Sequence, residues 1–128
     1  MRNILIDTDI LINFLRGKEK VKSFLTLLLD EGTIYCSVIT IAEIFAGMRE
    51  HEKKDTIKLI DSLNVVDVTR EIAEKAGSYK NRMRSQSLEL DDCILAATAF
   101  SKHAALATGN GKHYPMNDIK KIVISSEQ

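Results

Sequence analysis

The sequence predicts an α/β fold in three layers, α/β/α, around a central parallel sheet of about five strands. Short β-like runs alternate with longer stretches of helical periodicity along the whole chain. Strands separated by helices indicate parallel pairing with helices on both faces. One helical stretch, 90–102, is apolar almost all round (Cys93, Ile94, Leu95, Ala96, Ala97, Ala99, Phe100) and belongs inside such a fold.

Each element follows in order. Ile4-Leu5-Ile6 is a brief apolar strand that stops at Asp7. Residues 10–15 read as a helix closed by Gly17, and 21–29 as a second helix with Val21, Phe24, Leu25 and Leu28 on one stripe. Gly32 ends that helix, and residues 33–37 form the second strand. A helix over 40–49 and another over 55–63 lead into Val65-Val66-Asp67-Val68, the third strand. Helices over 71–84 and 90–102 come next. Ala105-Leu106-Ala107-Thr108 is the fourth strand and Ile122-Val123-Ile124 the fifth. With 128 residues, and no repeat, low-complexity tract or linker, one domain over 1–128 is expected.

Composition narrows the function. The chain is 45% hydrophobic and 28% charged, ordinary for a globular protein with a real core. Its 18 basic and 18 acidic residues cancel, which excludes a protein that coats nucleic acid through a large positive excess. An RNA substrate would have to be gripped by a local basic patch and by bound cations. Cys36 and Cys93 lie far apart in apolar runs, as buried reduced thiols do. Three apolar residues before Asp7 do not make a signal-peptide core, and no stretch approaches membrane-spanning length. A cytoplasmic protein with no membrane partner is expected.

In open parallel sheets, ligands bind beyond the carboxyl ends of the strands. Asp7 follows the first strand, with Asp9 two places on. Glu43 is expected in the first turn of the helix after the second strand. Asp92, with Asp91 beside it, is near the start of the alanine-rich helix, and Asn110 follows the fourth strand. Two carboxylates about 4 Å apart repel by roughly 4 kcal/mol at an effective dielectric near 20. A cluster of them must stay partly protonated or bind a cation. Oxygen ligands without suitably spaced cysteine or histidine favour Mg²⁺ or Mn²⁺ over zinc, and phosphodiester hydrolysis is the natural reaction class.

At this point the residues resemble a known family. Ile4-Leu5-Ile6-Asp7-Thr8-Asp9-Ile10-Leu11-Ile12 is similar to the opening motif of PIN-domain nucleases. Thr40-Ile41-Ala42-Glu43 matches their T-x-x-E element, followed by Gly47-Met48-Arg49. Asp92-Cys93-Ile94-Leu95-Ala96-Ala97-Thr98-Ala99 matches their D-x-x-I-A-A-T-A helix, with Leu95 at the isoleucine position. Thr108-Gly109-Asn110-Gly111-Lys112-His113-Tyr114 looks like their loop after strand four. Any one motif is weak, but four in family order over positions 4–116 are specific. The short form is similar to VapC-type toxins of toxin–antitoxin pairs.

The resemblance implies a PIN-like fold and an endoribonuclease dependent on one or two Mg²⁺ or Mn²⁺ ions. It implies products with 5′-phosphate and 3′-hydroxyl ends. It also implies a small VapB-like antitoxin as partner and a homodimer. Asp7, Glu43 and Asp92 become the expected metal ligands, with Asn110 completing the catalytic set. The family's acid at this fourth position is here an asparagine, which removes one negative charge and weakens the hold on a second ion.

Thr8, Asp9, Thr40, Asp91 and Thr108 are expected to stand behind these groups and orient them. Plainer roles compete at several positions. Asp9 suits a helix N-cap, and Thr40 with Glu43 has the form of a capping box in which Thr40 is the cap. Acids at 91 and 92 suit the positive end of a helix dipole. Thr108 and Asn110 suit a turn with Gly109 and Gly111. Arg82 and Arg84, in the densest basic cluster together with Lys80, are candidates for RNA contact, as are Arg49, Lys112 and His113, against the plain reading of a solvated face.

Two other functions fit parts of the sequence. Asp7-Thr8-Asp9 has the D-x-D spacing of haloacid-dehalogenase-type phosphatases, although position 11 is Leu and the 91–92 pair opens a helix. A catalytically inactive module that binds RNA or protein is the third reading, suggested by Asn110 alone.

Overall fold

The computed structural model describes residues 2–124. Five strands make one fully parallel sheet: β1 (Arg2–Ile6), β2 (Gly32–Ser37), β3 (Asn64–Val66), β4 (Ala105–Thr108) and β5 (Lys121–Val123), in the order β3-β2-β1-β4-β5. Six α-helices join them: α1 (Thr8–Leu15), α2 (Glu19–Glu31), α3 (Val38–Gly47), α4 (Lys53–Asp61), α5 (Arg70–Arg82) and α6 (Leu90–Ser101). Short 3₁₀ turns occupy Glu50–Glu52, Arg84–Gln86 and Gly111–His113. No described helix is long and apolar enough to cross a membrane.

The pleat divides the core into two halves. Along β1, Leu5 points to one face while Ile4 and Ile6 point to the other, and all three are fully buried. Leu5 joins Leu106, Ile72, Tyr79, Leu95 and Tyr114 under α5 and α6. Ile4 and Ile6 join Ile10, Leu11, Val21, Leu25, Ile34 and Ile44 under α1, α2 and α3. Both cysteines are free and buried, as expected.

Several boundaries differ from expectation, and the causes are local. Helix α1 begins at Thr8 because Asp7 caps it, its carboxylate accepting from the Thr8 amide at 2.7 Å. Asp9 is therefore not the N-cap. Helix α3 begins at Val38, capped by the Ser37 hydroxyl on the Ile39 amide, so Thr40 and Glu43 form no capping box. Glu43 consequently sits in the second turn. Helix α5 stops at Arg82, leaving Arg84 in a 3₁₀ turn, and β3 ends at Val66, before Asp67 and Val68. Helix α6 is buried from Leu95 to Ala99, but Leu90 and Phe100 reach the surface. There the Lys75 ammonium covers the Phe100 ring, 3.7 Å from its centroid. Gly17 is the stop predicted for α1, with φ +79°, a left-handed conformation that glycine adopts without strain.

Candidate active site

The sheet order reverses at β1. The chain leaves that strand to build β2 and β3 on one side, then β4 and β5 on the other, so a crevice opens above the carboxyl ends of β1 and β4. Asp7 ends β1 there and Thr108 ends β4. The Thr108 hydroxyl donates to Asp7 Oδ2 at 2.7 Å, and the Tyr114 hydroxyl donates to the same oxygen at 2.9 Å. Tyr114 is fully buried, and its hydroxyl also lies 3.2 Å from Asp92 Oδ1 in the first turn of α6. One phenol thus bridges the carboxylates of Asp7 and Asp92, residues at opposite ends of the chain's interior. Burial and the two carboxylates hold that phenol firmly protonated.

A second group of acids adjoins the first. The Thr8 hydroxyl donates to Glu43 Oε1 at 2.6 Å and lies 3.0 Å from the buried Thr40 hydroxyl. Burial pushes the Glu43 carboxyl up to about 7, helped by a hydrogen bond shared with Asp91 and by the charge of Asp7. The Asp91 carboxylate also accepts from the Asp92 amide at 2.9 Å. Asp9 is pushed up to about 6 by burial and then by Asp7, although its Oδ2 accepts from the Gly109 amide at 3.1 Å. Its Oδ1 is buried with no hydrogen-bond partner among the described residues. A β-carbon at Gly109 would lie 2.6 Å from Asp9 Oδ2, so only glycine allows this approach. Asp92 is raised by burial and by Asp91, against the pull of His113.

The remaining candidates spread outward. Asn110 is exposed; its backbone amide donates to Thr108, and its side-chain amide faces His113 Nε2 at 3.0 Å. His113 Nδ1 is 3.4 Å from Asp92 Oδ2, so Asn110 reaches the acids only through His113. Lys112 is exposed in the same 3₁₀ turn. Arg49 lies between α3 and α4 with its backbone amide on Glu52, while Arg82 and Arg84 lie at the end of α5 and in the turn beyond it. Beside Glu43 a groove of about 330 Å³ opens between α1, α3 and α4, with Ile12, Leu15, Ile44 and Met48 in its wall.

Sequence reasoning named Asp7, Glu43, Asp91 and Asp92 but gave Tyr114 no role. A tyrosine in a loop carries no periodic signal, and only its place at the end of the Thr108–Tyr114 segment marks it. Among the described residues, no three carboxylate, imidazole or thiol groups already close around one point as metal ligands do. The acids are instead held by Thr8, Thr108, Tyr114 and His113. The donor chemistry still fits a hard dication: oxygen ligands only, several carboxyls raised by burial and mutual repulsion, and one buried carboxylate oxygen without a partner.

These shifts set the pH dependence of stability. Raised carboxyls stabilise the fold fully below their unfolded values, and that contribution is lost as pH rises through the folded ones. For Asp9 the span runs from 3.8 to about 6, and for Glu43 from 4.5 to about 7. The metal-free protein is therefore expected to melt at a lower temperature at about pH 8 than at about pH 5. Adding Mg²⁺ should raise the transition more at the higher pH, and equal Mg²⁺ shifts in calorimetry at both would contradict this.

The chain is similar to known proteins in sequence and fold. Residues 4–118 match the PIN domain family. Ribonuclease VapC10 of Mycobacterium tuberculosis is 36% identical over 115 residues, covering 88% of this chain and 86% of that protein. Ribonuclease VapC19 of the same species is 35% identical over 115 residues, covering 88% and 92%. A chain in the solved toxin–antitoxin complex from Klebsiella pneumoniae superposes with a TM-score of 0.80 at 25% identity, over 98% of both chains. DNA-bound VapBC from Salmonella typhimurium gives 0.83 at 19% identity, over 96% and 98%; that likeness bears on the fold alone. By its motifs, its parallel sheet and its match over nearly the whole length, the chain belongs to the PIN domain family.

Proposed function

We propose that this protein is a metal-dependent endoribonuclease, the toxin of a type II toxin–antitoxin pair, restrained in the cytoplasm by a VapB-like antitoxin and acting as a homodimer. The observation that carries the reading is the meeting of Asp7 and Asp92 on one buried phenol at the sheet's switch point, with Glu43 beside them. The names of the relatives, ribonucleases of the VapC group, support the same activity.

Asp7, Glu43 and Asp92 would hold Mg²⁺ or Mn²⁺, one ion or two, and Asn110 leaves the fourth position neutral, which weakens the hold on a second. A dication there supplies the positive charge that activates water and neutralises the phosphate. The chain's own groups do the rest. Thr8 orients Glu43, Thr108 and Tyr114 orient Asp7, and Tyr114 fixes the spacing of Asp7 and Asp92. Water adds to phosphorus as the bond to the 3′-oxygen breaks, leaving 5′-phosphate and 3′-hydroxyl ends. A phosphatase of the D-x-D type gains no support, because the carboxylate of Asp9 is turned onto the Gly109 amide.

Incubation of the purified chain with total RNA in Mg²⁺, Mn²⁺ or EDTA, followed by mapping of 5′ ends, tests the reading. A recurrent cut that disappears in EDTA is expected. Release of phosphate from small phosphoesters without RNA cleavage would favour the phosphatase, and metal binding without any cleavage an inactive module.

A further inference from the structure

The segment from the end of α5 into α6 carries a basic groove that the acidic site does not use. It is about 360 Å³ and open to solvent, lined by Gly77, Lys80, Asn81, Arg84, Ser87 and Leu88. Its cations lack acidic partners. The Lys80 ammonium rests on the Leu88 carbonyl oxygen, and the Arg84 guanidinium on the Asn81 side-chain oxygen. Among the described residues neither Lys80, Arg82 nor Arg84 forms an ion pair, whereas Arg70 and Lys75, earlier on α5, are paired with Glu74 and Asp118. In a chain with equal numbers of acids and bases, three unpaired cations within five residues form a local positive field. The hydrogen bonds of Lys80 and Arg84 go to neutral oxygens, which hold the two charges in place without neutralising them, while Arg82 lies over the Tyr79 ring.

The groove's Leu88 wall is joined along the chain to the helix that carries two of the site's acids. Ser87, with φ 50°, turns the chain sharply after the 3₁₀ turn, and Leu88-Glu89 runs directly into α6, whose first turn holds Asp91 and Asp92. Gly77 leaves its side of the groove open, since a β-carbon there meets nothing within 4 Å.

We infer that this groove is a phosphate-backbone track for single-stranded RNA, in which Lys80 and Arg84 hold phosphates flanking the scissile bond. The inference rests on the nuclease reading above and adds where the substrate strand enters. Phosphate contacts carry no sequence information, so any single strand reports on them.

Fluorescence anisotropy with a short fluorescein-labelled oligouridine, in EDTA so that no cleavage proceeds, is the test. The variants are Arg84→Ala and Gly77→Glu, with Lys22→Ala on α2, across the sheet, as control. Glutamate favours helix over glycine, so Gly77→Glu places a negative charge in the groove without endangering the fold. Arg84→Ala is expected to weaken binding about five-fold and to reduce the slope of log affinity against log salt by about 0.7, the loss of one phosphate contact to a single strand. Gly77→Glu should weaken it at least as much, and Lys22→Ala should leave it unchanged. Wild-type affinity and slope in both groove variants, no binding by the wild type, or equal binding of a polyglutamate peptide would each overturn the track. If the groove variants lose binding but the wild type cleaves nothing in Mg²⁺ or Mn²⁺, the nuclease reading fails and the track stands. Cleavage by the wild type with unaltered binding in the variants gives the reverse.

Discussion

Asp7→Asn is expected to reduce RNA cleavage by about 10³-fold or more while the protein keeps its fold, because it removes a charge placed to hold the metal. The fold should survive because asparagine reproduces most of the local bonding. Its oxygen can still accept from the Thr8 amide, and its amide group faces two hydroxyls, Thr108 and Tyr114, that can turn to accept. Two effects on stability oppose each other. The lost hydrogen bonds to a charged group cost about 1.5–3 kcal/mol each at most. Against that, the charge of Asp7 raises Asp9, Glu43 and Asp92, and neutralising it relieves repulsion of similar size, roughly 4 kcal/mol per close pair at most. The metal-free variant should therefore melt near the wild type, and its Mg²⁺-induced shift should shrink. Asp92→Asn should behave alike in cleavage. Undiminished cleavage by either variant would remove these residues from the site.

The carboxylate site was legible where chemistry and strand ends coincide. Asp7 directly follows an apolar run too short for anything but a buried strand, and Thr108 and Asn110 follow another. The start of α3 was not legible, because Ser37 and Thr40 are both good caps and Val38-Ile39-Thr40-Ile41 suits a strand as well as a helix. What decides it is pairing: Ser37 opposite Val66 is the last rung of β2, and the chain turns helical at once. The different surroundings of Asp91 and Asp92 have a related cause. Successive helical residues point about 100° apart, so adjacent acids face different neighbours: Asp91 lies against Glu43, and Asp92 against Tyr114. The basic residues at 80, 82 and 84 were visible as a cluster. Their freedom from ion pairs among the described residues was not, since it depends on which side chains the fold brings together.

Tyr114→Phe is expected to lower stability by about 1.5–3 kcal/mol, the range for a hydrogen bond to a charged group, without opening a cavity, since the ring stays. For a chain of this length that is a fall in melting temperature of roughly 5–15 °C. The loss has a particular electrostatic form. The phenol proton lies between Asp7 and Asp92, and without it the two carboxylates meet with nothing between them. Asp7 keeps Thr8 and Thr108, and Asp92 keeps His113, so neither oxygen pair is left bare. The deficit should thus be largest at about pH 8 and shrink as pH falls and Asp92, raised by burial and by Asp91, takes up its proton. Mg²⁺ should restore much of it at the higher pH, because a cation between the carboxylates neutralises the same repulsion. A pH-independent deficit that Mg²⁺ leaves untouched would mean that the hydroxyl merely packs, and that the spacing of Asp7 and Asp92 is set by the backbone of β1 and α6.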